Sequence, residues 1–381
     1  MASSINASTT AGVVTTADTS GVLNIQTAGT TAISIDASQA VSFTNSANLP
    51  NTFGFKNRII NGAMVIDQRN AGAAVTGASS FPVDRFFMRS VNDGAYSGQQ
   101  DSSAPAGFTK STKITVTTAD SSLTTTQSLS IRQRVEGFNI SDFGWGASGA
   151  ATVTLSFWVR SSVTGTYGGS ICNGNEDRSY PFTFAISSAN TWEQKSVTIA
   201  GDTSGTWATD NSTGLNVFFS VGAGPDRSGT AGAWSGNTYY SATGAVNMMA
   251  TLNATWQITG VQLEKGATAT SFDYRPYASE YFMCCRYFRY WGFSSAWESQ
   301  TTSSSNHVTW QFPQPMRTLP TLVRIGNLIT GRENGTAVTP YQYDASSGSA
   351  SGTECYIYAQ NTTGSTTPIA IGGRGSATAE L

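Results

Sequence analysis

The stretch "ATVTLSFWVRSS" (residues 151–162) decides the fold class, because apolar and polar side chains alternate along it. A β-strand directs successive side chains to opposite faces of its sheet, so the alternation predicts a strand with one apolar face and one mostly polar face. The apolar positions are Val153, Leu155, Phe157 and Val159. Trp158 has the other parity, and we expect its ring to point away from the core.

Two further stretches repeat this alternation. In "SLSIRQRV" (residues 128–135) the parity leaves Arg132 and Arg134 on the outward face, and "GLNVFFSVG" (residues 214–222) alternates in the same way. Several two-faced strands separated by Gly, Ser, Asp and Asn turns predict an antiparallel β-sandwich over residues 56–275, within an all-β chain.

The stretch "TWQITGVQLEKG" (residues 255–266) contains a change of register. Its apolar positions change parity between Ile258 and Val261. One extra residue in a strand produces such a change, so the pattern predicts a bent strand with a β-bulge near Thr259–Gly260.

Residues 1–55 contain a short repeat of apolar pairs. The pairs are Leu23 and Ile25, Ile33 and Ile35, and Val41 and Phe43. Each pair has the i, i+2 spacing of one strand face, which predicts thin β-strands that bury their apolar edge only by stacking or by pairing with identical chains. The alternative is a disordered Ser/Thr-rich tail.

The spacing of apolar residues changes after Pro276 to intervals of four, three, four and three, as in one short amphipathic helix. The residues are Tyr277, Tyr281, Cys284, Phe288 and Trp291. Runs such as "HVTWQF" and "ECYIYAQ" then predict a small second β-domain. The predicted organisation is a β-repeat segment (1–55), the sandwich (56–275), a helical connector (276–291) and a C-terminal β-domain (292–381).

The composition argues against two classes of partner. Charged residues make up 12% of the 381 residues, and the formal net charge is −2. Without a basic cluster, the attraction that dominates binding to nucleic acids and anionic membranes is missing. No apolar run is long enough to span a bilayer, and the first residues lack a secretory signal pattern, so we expect the chain to be made in a cytoplasm without membrane insertion.

The sequence contains no motif of a catalytic or metal centre. Four cysteines without CxxC spacing predict reduced, structural thiols, and they are Cys172, Cys284, Cys285 and Cys355. The single histidine, His307, lies in a predicted strand without a nucleophile motif. A glycoside hydrolase needs only two carboxylates, for which Glu136, Glu176 and Asp177 are candidates, but we expect no enzyme.

Aromatic residues in polar loops are the best candidates for ligand contacts. The C–H faces of sugars stack on exposed rings, while polar side chains bind the hydroxyl groups. The loop aromatics beside Asn, Asp or Ser are Trp145, Trp207, Trp234, Tyr239 and Tyr240. The alternative is that these rings close the end of the sandwich.

Several motifs occur in an order that is more specific than any one of them. They include "NRIINGAMVIDQRNAG", "PVDRFF", "WEQKSVTIAGDTSGTW" and "ITGVQLEKGATATSFDYRPY". Over residues 56–325 this order resembles that of bacteriophage tail-fibre and related virion proteins with a carbohydrate-binding-module-like jelly roll. The resemblance implies a jelly-roll sandwich, a homotrimer on the virion surface, and attachment to other virion proteins through residues 1–55.

The resemblance also implies that "RIINGAM" is the entry strand of the sandwich, turned at Asn61–Gly62. Jelly rolls of this type often hold a structural calcium ion, for which Asp84 and Asp273 are conceivable ligands. We favour the alternative interpretation, in which Asp84 forms a salt bridge with Arg85. No cofactor is predicted.

Arginine supplies 16 of the 21 basic residues, a bias typical of subunit interfaces. The candidates for contacts between subunits are Arg132, Arg134, Trp158, Tyr281 and Phe288. The leading hypothesis is a virion fibre protein of the tail-fibre type that recognises a host-surface glycan. The alternatives are a structural capsid-decoration or tail-adaptor protein and, with less support, a polysaccharide-degrading enzyme.

Overall fold

Antiparallel strands dominate the chain, as the alternation of side chains predicts. The computed structural model describes residues 3–8, 12–16, 20–27, 29–38, 41–43, 55–298, 305–318, 320–324, 329–330, 332–333, 336–337, 343–344, 354–360 and 369–381. Contacts divide the chain into two units, Met1–Gly54 and Phe55–Leu381. Among the residues described, no helix is both long and apolar enough to cross a membrane.

The first unit contains one five-stranded sheet. Its strands are β1 (Ser3–Ser8), β2 (Gly12–Thr16), β3 (Leu23–Thr27), β4 (Thr30–Ile35) and β5 (Val41–Phe43). Their order is β2-β1-β3-β4-β5, and Leu23 and Ile25 pair with Ile35 and Ile33. The predicted apolar pairs therefore lie in strands, while Val41 remains 53% exposed.

The second unit begins with a β-sandwich. Its strands are β6 (Val75–Thr76), β7 (Phe87–Val91), β8 (Ala95–Asp101), β9 (Ser111–Thr118), β10 (Ser128–Glu136), β11 (Val153–Ser161), β12 (Gly165–Asn173), β13 (Ser179–Ile186), β14 (Glu193–Ile199), β15 (Thr213–Ala223), β16 (Ser228–Gly229), β17 (Ser241–Ala242) and β18 (Thr255–Lys265). One sheet has the order β13-β12-β15-β10-β7, and the other has the order β14-β11-β18-β9-β8-β6, while β16 and β17 form a separate parallel pair. Because the chain passes repeatedly between the two antiparallel sheets, the sandwich is a jelly roll.

The alternating apolar residues of the two sheets meet in one core. Phe157 from β11 contacts Phe219 from β15 edge to face, with ring centroids 4.9 Å apart, and Trp256 from β18 is fully buried. Burying one such large apolar side chain contributes about 1.5–3 kcal/mol. The alternation therefore predicted both the strands and the faces that pack together.

The predicted bulge is confirmed in β18. Ser156 pairs with Gln262, but Trp158 pairs with Thr259, so β18 carries one more residue than β11 between these pairs. Gly260 occupies the bulge with a left-handed φ of 61°. Trp158 lies on the outer face and is half-buried, as the parity predicts.

Residues 55–74 form a loop, and the expected entry strand at "RIINGAM" is wrong. Two backbone hydrogen bonds tie this loop to β18, from Arg58 N to Leu263 O and from Val261 N to Gly62 O, both at 2.9 Å, and side-chain amides supply further bonds. The amide of Gln133 accepts from Ile60 N at 2.8 Å and donates to Ile60 O at 2.7 Å, and the amide of Asn61 bonds both to Ile66 N and to Ile66 O. The chain does turn at Asn61, where φ is 60°.

The helix is shorter than the spacing of apolar residues predicts. Helix α1 (Tyr277–Cys285) ends before Phe288, where strand β19 (Phe288–Glu298) begins. The second half of the predicted helix, residues 286–291, is therefore wrong, because residues from Phe288 onward pair with a distant strand of the C-terminal region.

The C-terminal region is built of strands, as predicted. They are β20 (Ser305–Gln311), β21 (Thr321–Arg324), β22 (Ile329–Thr330), β23 (Arg332–Glu333), β24 (Thr336–Ala337), β25 (Tyr343–Asp344), β26 (Glu354–Gln360) and β27 (Ile369–Thr378). Strand β27 pairs with β19, β21 and β22, and β26 pairs with β20 and β25. Contacts place this region in one unit with the jelly roll, and the finer predicted domain boundaries stay predictions.

Candidate functional site

Three of the predicted glycan-binding aromatics form one cluster at an end of the sandwich. Trp145 contacts Trp207 and Trp234, with ring centroids 4.6 and 5.4 Å apart. Each indole N–H donates to a backbone carbonyl at 2.7–3.1 Å. Trp145 and Trp207 are each 8% exposed, so their rings close the sandwich, and a glycan contact by this cluster stays a prediction.

The two predicted tyrosines differ in accessibility. Tyr240 is buried, and its hydroxyl donates to Glu176 at 2.7 Å. Burial, together with the charge of Glu176, raises the pKa of Tyr240 to about 12. Tyr239 is half-buried and lines an open polar cavity with Arg227 and Thr238, so only Tyr239 of this pair faces solvent.

The carboxylates weighed for glycoside hydrolysis make structural contacts. Glu136 accepts from Arg286 Nε at 3.0 Å, and Glu176 accepts from Arg132 at 2.6 Å. Asp177 accepts from an asparagine amide at 2.6 Å. His307 lies in β20 as predicted, but its side chain is outside the described residues.

Asp84 is buried in an ion pair that differs from the predicted one. Its carboxylate accepts from Arg69 at 3.1 Å and from the side chain of Gln68 at 2.6 Å, whereas Arg85 pairs with Glu380. The predicted Asp84–Arg85 bridge is wrong, because Arg85 has a left-handed φ of 71° and its guanidinium extends to Glu380. Among the described residues, no group of three or more His, Cys, Asp or Glu side chains could hold a metal ion.

The predicted cysteines and interface residues have definite positions. Cys172, Cys284 and Cys285 are free and buried, as predicted, and the side chain of Cys355 lies outside the described residues. Of the predicted interface residues, Arg132 and Phe288 are covered by the chain itself. Those that keep part of their surface open are Arg134, Trp158 and Tyr281. Contact between subunits stays a prediction for all of these residues.

The candidate site is a cavity of about 270 Å³ that the sequence did not reveal. Its aromatic lining residues are Phe108, Phe272, Tyr274 and Tyr277, and we call it the aromatic pocket. Phe272 contacts Phe108 and Tyr274 edge to face, with ring centroids 5.1 and 4.9 Å apart. Polar lining is supplied by Asn57, Thr109, Asp273, Arg275 and Glu280.

Two of these rings are open to solvent. Tyr274 is 61% exposed and Tyr277 is 63% exposed. The hydroxyl of Tyr274 donates to Gly107 O at 2.9 Å, which fixes the ring against the loop that carries Phe108. Large exposed aromatic rings beside polar groups are typical of a ligand site, because ring and hydroxyl contacts are then available together.

The floor of the aromatic pocket is fixed by strand β18. The backbone N–H of Asp273 donates to Gln262 Oε1 at 2.8 Å, and Asn57 donates to Val261 O at 3.0 Å. The bulge residue Gly260 lies under Phe108, where a Cβ atom would be 2.7 Å from the ring. Glycine is therefore required here both by the positive φ and by the close approach of Phe108.

The sequence contained a partial signal for this site. "SFDYRPY" (residues 271–277) places three aromatic residues within six positions, next to charged residues. Phe108 lies far away in the sequence, and no spacing shows that it packs against Phe272. The exposure of Tyr274 and Tyr277 depends on how the segment lies along β18, which only the tertiary structure shows.

No protein-family model and no curated protein matches this sequence. Solved structures do match in part. The enzymatically active domain of bacteriophage CBA120 tailspike protein 4 matches at 10% identity and a TM-score of 0.31, over 55% of this chain and 21% of that chain.

Carbohydrate-binding modules also match. A family 11 module from Clostridium thermocellum, in complex with a β-1,3-1,4-mixed-linked tetrasaccharide, matches at 10% identity and a TM-score of 0.28, over 53% of this chain and 99% of its own. The N-terminal cellulose-binding domain of Cellulomonas fimi β-1,4-glucanase C matches at 13% identity and a TM-score of 0.27, over 53% of this chain and 99% of its own. These identities and TM-scores are too low to support any statement about function. The fold is therefore described from the strand order of this chain.

Proposed function

We propose that this chain is a bacteriophage virion fibre protein of the tail-fibre type, whose jelly roll binds a host-surface sugar in the aromatic pocket. The observation that carries the binding proposal is the pair of exposed rings, Tyr274 and Tyr277, beside polar groups in a cavity of about 270 Å³. A sugar ring buries its C–H face on an aromatic ring and exchanges hydroxyl hydrogen bonds with polar neighbours.

The fibre part of the proposal is supported by the order of sequence motifs. In this proposal residues 1–55 attach to other virion proteins, the chain is a homotrimer on the particle surface, and it is made in the host cytoplasm. The exposed apolar side chains Ile25 and Val41 of the first unit are available for such contacts. We propose recognition without hydrolysis of the glycan.

The test is competition for adsorption by the full 381-residue protein. We expect the purified protein to block adsorption of its phage to host cells, and the double variant Tyr274→Ala/Tyr277→Ala to lose about tenfold in potency, since each of two aromatic contacts contributes about 0.5–1.5 kcal/mol. The matched control is Phe138→Ala, which removes a ring that is 59% exposed and outside the pocket.

Each outcome of this test favours a different function. Blocking that depends on the two tyrosines supports receptor binding through the aromatic pocket. A well-folded protein that does not block adsorption would instead favour the capsid-decoration or tail-adaptor function, in which the exposed rings contact other virion proteins.

A further inference from the structure

The charged groups of the aromatic pocket determine which sugars fit it. Two carboxylates, Asp273 and Glu280, and one guanidinium, Arg275, line the cavity, so its formal charge is −1. A site for an acidic sugar would need positively charged donors directed into the cavity, because a buried or half-buried carboxylate without a partner is costly.

The guanidinium of Arg275 is directed into the protein. Its Nη1 atom donates to Ile59 O at 3.1 Å and to Glu280 at 3.3 Å, and its Nη2 atom donates to Asn57 O. The side chain is 11% exposed. These backbone and carboxylate contacts leave the pocket without a cation aimed at a ligand.

The two carboxylates differ in what they can still bind. Glu280 accepts from Asn61 N through one oxygen and from Arg275 through the other. Asp273 accepts from Asn57 N through Oδ2 at 3.3 Å, and its Oδ2 lies 3.6 Å from Arg275. Among the described residues nothing donates to Oδ1 of Asp273, whose side chain is 23% exposed. Beside the exposed hydroxyls of Thr109 and Tyr277, the pocket therefore offers a ligand one negatively charged acceptor, Oδ1 of Asp273.

We propose that the aromatic pocket selects an uncharged sugar, which stacks on Tyr274 and Tyr277 and donates a hydroxyl hydrogen bond to Asp273, and that it rejects sugars bearing a carboxylate. This inference rests on the proposed function of the same pocket. Asp273 is the specificity-determining residue, because its carboxylate accepts a hydrogen bond from a hydroxyl group and repels an anionic group at the same position.

The experiment measures binding of matched sugar pairs to the full-length protein by saturation-transfer NMR and titration. The probes are methyl glucoside with methyl glucuronide, and methyl galactoside with methyl galacturonide; within each pair a carboxylate replaces the C6 hydroxymethyl group. We expect the neutral member of a binding pair to bind at least about tenfold more tightly, since hydrogen bonds to charged groups contribute about 1.5–3 kcal/mol.

The variant Asp273→Asn keeps an acceptor oxygen and removes the charge. We expect it to reduce the ratio of neutral to acidic affinity by at least about tenfold, with the acidic sugar gaining in absolute affinity. The matched control is Asp226→Asn, an exposed carboxylate outside the aromatic pocket, which leaves the ratio unchanged. If the Asp273→Asn protein does not fold, the affinities of the neutral and acidic sugars for the unmodified protein still test the selectivity.

The possible failures are distinguishable. If both members of a pair bind equally well and binding still requires Tyr274 and Tyr277, the charge selectivity is wrong while the proposed sugar site stands. If the acidic member binds more tightly, the selectivity is overturned as well. If none of the four sugars binds and a host-surface polysaccharide does not bind either, the proposed function itself fails.

Discussion

Burial and ion pairing act in opposite directions on the carboxyl group of Asp84. Its side chain is 1% exposed, and this burial raises its pKa from 3.8 to about 6, although Arg69 and Gln68 favour the charged form. The folded protein therefore holds a proton on Asp84 at pH values where the unfolded chain has released it.

We expect the stability from Asp84 to be fully present below about pH 4 and to be lost as the pH rises through about 6. Because the folded state binds more protons in this window, the free energy of unfolding falls with rising pH, by on the order of 2 kcal/mol. Urea unfolding at pH 4.5 and pH 7 measures this. Asp84→Asn should lose this part of the pH dependence while the exposed control Asp226→Asn keeps it, and an unchanged profile in Asp84→Asn would contradict the assignment.

A position in a polar loop does not determine whether an aromatic ring is exposed. Trp145 and Trp207 were predicted as glycan contacts because they lie in loops, but their indole N–H groups point inward and donate to backbone carbonyls. Tyr274 and Tyr277 lie in an equally ordinary stretch, yet both rings face solvent. Side-chain direction in loops follows from tertiary contacts, so the sequence could name aromatic candidates but could not separate buried rings from exposed ones.

The elements were predictable where the pattern had a fixed period. The alternation of apolar and polar side chains predicted β10, β11, β15 and the bulge in β18. This pattern is reliable because a shift of one residue would turn the apolar side chains of a whole strand away from the core. The spacing of apolar residues predicted the end of α1 wrongly, because aromatic residues of the following strand continue the helical spacing by chance. The entry strand that the family resemblance implied at "RIINGAM" is also wrong, because the amides of Gln133 and Asn61 hold residues 55–74 as a loop.

One buried side-chain amide, that of Gln133, holds the loop of residues 55–74. Gln133 is 1% exposed and satisfies both backbone groups of Ile60. We expect Gln133→Leu to lower the free energy of unfolding by about 2–4 kcal/mol, because it leaves a buried N–H and a buried C=O without partners.

Urea denaturation checks this expectation. The matched control is Gln194→Leu, in which an exposed strand glutamine is changed and an effect within about 0.5 kcal/mol is expected. A Gln133→Leu protein as stable as the unmodified one would show that the amide does not hold the loop.

Residues that follow β27 contact the jelly roll at the other end of the sequence. Glu380 accepts from Arg69 at 2.8 Å and pairs with Arg85, and Arg317 donates to Ala379 O at 2.8 Å. Arg85 is 3% exposed. The sequence carried no signal for the two contacts of Glu380, because Arg69 and Arg85 lie about three hundred residues away from it and belong to no regular element.

We expect Glu380→Gln to destabilise the second unit by on the order of 3 kcal/mol, since it leaves the buried guanidinium of Arg85 without its carboxylate. Thermal unfolding of the full chain measures the loss. The double variant Arg85→Met/Glu380→Gln should be less destabilised than the sum of the single changes, and strict additivity would argue against the pair.

The tryptophan cluster at the end of the sandwich has an optical consequence. Indole rings in edge-to-face contact at 4.6–5.5 Å couple their electronic transitions, so Trp145, Trp207 and Trp234 form a built-in chromophore. No tryptophan lines the aromatic pocket. We therefore expect the tryptophan bands of the near-ultraviolet circular dichroism spectrum to persist in pocket variants whose jelly roll stays folded.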